Sequence, residues 1–139
     1  MMKKILALTI VVLISTVIQI VAILPWWSFL IPIFFLGILL PMEKWKVSSF
    51  PTGFFSGFLV WVVATFYYEA TYDGEIIDKI AKIIMDPYSF FYLNFIIIYS
   101  IIGLIGGLLT GLALYSGFLL RKGRDILYLE LPYNKFNVK

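Results

Sequence analysis

Behind the pair Lys3 and Lys4, residues 5–24 carry no charge, and the only polar side chains among them are Thr9, Ser15, Thr16 and Gln19. A run of about 20 apolar residues is long enough to cross a bilayer. A cleaved signal peptide is the competing reading, but Ile20 and Ala22 make a poor small-residue cleavage site and the apolar run exceeds a usual signal core. Span 1 is therefore read over about 4–24 and retained. Pro25, Trp26 and Trp27 then mark a turn at headgroup level, where an apolar ring with an N–H donor is favoured. The next apolar stretch, about 27–41, is short and carries Pro32. It reads as span 2, kinked at the proline or starting earlier, with a re-entrant hairpin as the alternative.

A polar connection with Glu43, Lys44 and Lys46 leads to span 3, about 53–70, where Trp61 lies deep and Tyr67 and Tyr68 mark the far interface. Residues 74–86 follow a different pattern. Ile76, Ile77, Ile80, Ile83 and Ile84 recur at helical spacing, and Glu75, Asp78, Lys79 and Lys82 take the opposite face. Too short and too charged to span, this segment reads as an amphipathic helix on the membrane surface. Span 4 is read over about 93–120. "RKGRD" at 121–125 is expected to stop it, and the alternating tail 126–139 is expected to rest on the membrane or to extend as a partner-binding segment.

The pattern predicts an all-α membrane protein. Its architecture is a four-transmembrane-helix bundle, residues 1–125 forming one domain, with the interfacial helix between spans 3 and 4. Composition agrees: 62% of the 139 residues are hydrophobic, against about 45–50% in soluble domains. With four spans, both termini share one side. That side carries Lys3, Lys4, Lys44, Lys46, Arg121, Lys122, Arg124, Lys135 and Lys139. The other side carries Lys79 and Lys82, offset by Glu69, Asp73, Glu75, Asp78 and Asp86. Basic loops stay in the cytoplasm, which places both termini there, in a bacterial cytoplasmic membrane. The net charge of +3 is thus a matter of orientation. No basic run interleaved with aromatics points to nucleic acid.

The chain has no Cys and no His. That removes a thiolate nucleophile, a disulfide scaffold, a histidine-ligated metal and a Ser-His catalytic arrangement. No catalytic residue, cofactor or metal site is read. The dispersed outer carboxylates read as a solvated face, and the Trp and Tyr residues as interface belts, with Trp26, Trp27, Tyr67, Tyr68, Tyr88 and Tyr92 outside and Trp45 and Phe50 inside.

Two candidate sites remain. Gly103, Gly106, Gly107, Gly111 and Gly117 stand within one apolar segment, and Gly53 and Gly57 form a second small-residue pair. Helices gain no hydrophobic energy by meeting in lipid, so small residues that let backbones approach favour association. The glycine stripe reads as a packing groove, against span 1 or the Gly53/Gly57 edge, or against a partner. Gln19, Asn94 and Tyr99 make a candidate polar pocket, although a structural role, satisfied by interhelical hydrogen bonds or water, is the favoured reading. The sequence therefore favours a non-enzymatic accessory or assembly subunit of a membrane complex, in contact with lipid and with a membrane-protein partner or a second copy. A small transporter or substrate-binding membrane subunit for an apolar or neutral solute is the alternative, and an oligomeric pore a third.

Overall fold

The computed structural model describes residues 2–20, 27–71, 79 and 91–130, with side chains over 2–19, 27–71, 79 and 96–126. The sequence expectations for 74–86, for Trp26, Tyr88 and the tail beyond Glu130, and for the side chains of Tyr92 and Asn94, fall outside the described residues. Within them the fold is all helical, with no strand. The helices are α1 (Met2–Ile20), α2 (Leu30–Leu39), α3 (Met42–Trp45), α4 (Ser49–Thr71) and α5 (Phe91–Glu130). Three of them, α1, α4 and α5, hold stretches long and apolar enough to cross a membrane.

Their outward side chains, among them Leu13, Val17, Phe55, Leu59, Val63, Phe66, Leu104, Leu108 and Leu112, are exposed and apolar. In water that surface would be a severe liability. In a bilayer it is the surface that meets lipid.

The ten residues of α2 extend about 15 Å, half of a hydrocarbon core of about 30 Å. Its boundaries have local causes. A turn over residues 27–29 leads in, with Leu30 N–H donating to the Trp27 carbonyl at 3.0 Å. Pro32 therefore stands in the first turn, where its missing N–H has no carbonyl to serve, and it neither kinks nor interrupts the helix. At the other end Leu40 is extended (φ −72°, ψ 129°), as the residue before Pro41 must be.

The short α3 closes on Lys46, the one non-glycine residue with positive φ (53°) among the described residues. Val47 N–H reaches back to the Met42 carbonyl at 3.0 Å. A left-handed lysine costs about 1–2 kcal/mol, so Lys46→Gly is expected to raise unfolding stability by about 1 kcal/mol. Thermal melts in one detergent would check this, and an unchanged or lowered melting temperature would contradict it.

The turn sends the chain back through α4, which begins with Pro51 in its first turn. α4 and α5 pack antiparallel, since Gly53 lies against Gly111 and Phe58 against Gly103. α2 lies parallel to α5, with Gly37 on Gly117 and Leu40 beside Arg121. α1 rests mainly on α4, and also touches α2 and α3. Its Val11 joins Phe29, Ile33, Leu36, Leu40, Met42 and Leu114 in the buried cluster.

α5 does not stop at "RKGRD". Its forty residues span about 60 Å, and the helix passes through Arg121, Lys122, Gly123, Arg124 and Asp125 to Glu130. Arginine and lysine are good helix formers. Charges end a lipid-embedded segment without ending the helix that carries it.

Candidate functional site: the helix seam and its basic end

The buried face of α5 reads Gly103, Gly106, Gly107, Thr110, Gly111, Leu114 and Gly117, a 3–4 repeat that keeps one side of the helix toward its neighbours. The seam is divided between two helices. Against α4, a methyl group added at Gly53 would stand 2.8 Å from Gly111 Cα and 2.8 Å from the Thr110 carbonyl oxygen. One added at Gly57 would strike the Thr110 side chain, and one at Gly106 the Trp61 ring. At Gly103 the neighbours are Val62 Cγ2 at 2.7 Å and the Phe58 ring at 2.8 Å. At Gly107 the Phe54 carbonyl oxygen stands at 2.9 Å, and at Gly111 the Phe50 ring at 3.1 Å.

Against α2 the fit is equally close, and the atoms met are backbone. A methyl at Gly117 would run into the Phe34 carbonyl and one at Gly37 into that of Leu114. The sequence reading did not single out Gly37. A lone glycine in an apolar run has no spacing signal, and its partner lies eighty positions along the chain.

The hydroxyls of Thr110 and Ser56 inside the seam satisfy themselves. Thr110 Oγ1 donates to the Gly106 carbonyl at 2.7 Å, and Ser56 Oγ to that of Thr52 at 2.7 Å. Hydroxyls that bond back one turn need no partner from a ligand. Phe50 packs on Gly111 and stacks on Phe54 (centroids 6.2 Å apart, planes 27°). Trp45 is partly buried against the core cluster. Phe29 meets Trp61 edge to face, centroids 5.7 Å apart. Trp61 stands near the middle of α4, so α2 begins about halfway along that helix.

The three residues of the candidate polar pocket are not joined by a hydrogen bond among the described residues. Gln19 is half-buried on α1 and Tyr99 half-buried on α5. Asn94 is placed on α5 by its backbone alone. Tyr99 lies within electrostatic reach of Glu69, whose Oε1 is buried without a hydrogen-bond partner among the described residues.

The basic end has more structure than the sequence suggested. Arg121 donates from Nη1 to the carbonyl oxygens of Ile38 (3.3 Å), Leu39 (3.2 Å) and Leu40 (2.9 Å). These are carbonyls that the end of α2 leaves without intrahelical donors, and a cation there also meets the negative end of the helix dipole. Lys122 Nζ lies 4.0 Å from Glu43 Oε1 across α3, and Asp125 lies 3.9 Å from both Arg121 Nε and Arg124 Nε. Arg121 had been read as a stop signal and a topology charge. Its role as a cap depends on a segment about eighty residues earlier, which no local pattern reveals. Among the described residues no group of three or more His, Cys, Asp or Glu is placed to hold a metal ion.

No family model, curated protein or solved structure matches the chain.

Proposed function

We propose that the protein is a non-enzymatic accessory or assembly subunit of a membrane complex. In this reading it lies in a bacterial cytoplasmic membrane, with both termini in the cytoplasm. The observation that carries the reading is the continuation of α5 beyond the bundle. Past Arg121, which holds α2, the helix continues with Asp125 and Ile126 exposed, a projection that carries charge and an apolar side chain to a partner. The glycine seam supports the same reading, because backbones in contact leave little room for a solute path between α4 and α5. It gives the projection a stiff base.

Gentle solubilisation from the native membrane, followed by identification of co-purifying proteins, tests this. A stoichiometric partner is expected, and a chain truncated after Asp125 should lose it while melting as the full-length protein does. Recovery of the intact chain alone, as a monomer or homo-oligomer, would sink the proposal. The orientation has its own test. Cysteines placed at Ser48 and at Gly74 should react with membrane-impermeant reagents from opposite sides, and reaction of both from outside would overturn the four-span topology.

A further inference from the structure

A lateral groove of about 750 Å³ opens between α2 and α5, within the range of about 300–1,000 Å³ usual for small-molecule sites. Phe34 and Ile38 of α2 and Leu119 and Leu120 of α5 form its apolar walls, and Arg121 and Arg124 its basic end. Gly123 lies between the two arginines. Of the described glycines it alone has nothing within 4 Å of where a side chain would begin. The others are set against a neighbouring helix. Gly123 packs on nothing and still lowers helix propensity, which leaves one evident consequence: the groove stays open beside its basic end.

We propose that this groove seats an anionic phospholipid of the surrounding bilayer. An acyl chain lies along Phe34, Ile38, Leu119 and Leu120, and the phosphate meets Arg124. The division of labour between the arginines follows from their contacts. Arg121 is three-quarters buried and spends Nη1 on the α2 carbonyls. Arg124 is 56% exposed and its contact with Asp125 is a loose 3.9 Å, so its guanidinium retains donors for a phosphate. With Asp125 counted against both arginines, the end of the groove keeps one net positive charge. A groove that is apolar along its length and cationic at the membrane surface matches an anionic amphiphile, and basic pockets between membrane helices are known to bind such headgroups. A neutral solute would leave that net positive charge uncompensated, and a partner's apolar helix would bury it.

The test uses the full chain in mild detergent, titrated with phosphatidylglycerol or with phosphatidylcholine of the same acyl chains. Bound lipid is counted by native mass spectrometry. Phosphatidylglycerol should bind about fivefold more tightly than phosphatidylcholine, the effect of about one basic residue at a charged lipid surface. Arg124→Gln should abolish that preference. Gly123→Leu, which meets open space and removes a helix-breaking residue, should reduce binding of both lipids without lowering the melting temperature. Equal binding of the two lipids, or a preference that survives both substitutions, would overturn the proposal. So would a Gly123→Leu protein that changes its oligomeric state or loses a protein partner while its lipid preference is intact, since the groove would then belong to a helix.

Discussion

Gly117→Ala is expected to destabilise the protein by about 1–3 kcal/mol, the range for forcing an extra carbon into a closed core. The new methyl would meet the Phe34 carbonyl, with the Phe34 carbonyl carbon 3.0 Å and Gly37 Cα 3.1 Å away. All three are backbone atoms of a helix and cannot turn aside as a rotamer can. Relief requires α2 to slide or lift from α5. Gly103→Ala is the informative contrast. There the obstructing atoms belong to the side chains of Val62 and Phe58, which have room to adjust, and a cost below about 1 kcal/mol is expected. Gly123→Ala should go the other way and gain up to about 1 kcal/mol of helix propensity. Melting temperatures of the three variants in one detergent would give the order, with Gly123→Ala highest and Gly117→Ala lowest. If Gly117→Ala and Gly103→Ala melted together, close backbone contact between α2 and α5 would be ruled out. A dependence of the Gly117→Ala effect on protein concentration would move that contact from within one chain to between chains.

Arg121→Gln is the second large effect. Removing the guanidinium strips one charged donor from three carbonyls at a part-buried helix end. A charge-assisted hydrogen bond is worth about 1.5–3 kcal/mol, and of the three carbonyls Leu40 keeps the Met42 N–H at 2.8 Å, so the loss falls on Ile38 and Leu39. The loss should be local before it is global. Amide exchange should rise over residues 36–47, where Leu40 N–H and Val47 N–H report the end of α2 and the turn after it, while the α4–α5 seam keeps its protection. Arg121→Lys should recover only part of the stability, because an ammonium on a flexible stem lacks the planar fork of arginine. Arg124→Gln should leave exchange in α2 unchanged. Equal exchange in the wild type and Arg121→Gln would show that α2 is held by packing alone.

The sequence made some of this legible and hid the rest for identifiable reasons. The apolar runs that became α1, α4 and α5 were plain, because a bilayer demands long uncharged segments. The repeat of Gly103, Gly107 and Gly111 was visible because one helix sets its own spacing. The Gly53/Gly57 edge of α4 was also visible as a small-residue pair. What lay across from each stripe was not, because contact between elements depends on how the chain returns. Gly117 therefore went into one series with glycines that face α4, although it faces Gly37 of α2. The packing of Phe50 on Gly111 is likewise invisible in the sequence, since the two residues are 61 positions apart. The end of α5 was misread for a different reason. Arg121 to Asp125 resemble a boundary in hydropathy, but helix propensity there is unbroken except at Gly123.

The separation between α2 and its supports has a consequence in time. Gly37 and Gly117 are eighty positions apart in the chain. At about 5–20 residues per second, the ribosome needs about 4–16 s after making α2 to supply the surface on which it docks and the arginine that caps it. Throughout that interval the face of α2 that packs on α5, and the Ile38 and Leu39 carbonyls, lack the partners they have in the fold. The docking and capping of α2 are thus completed only by the last of the described helices to be made.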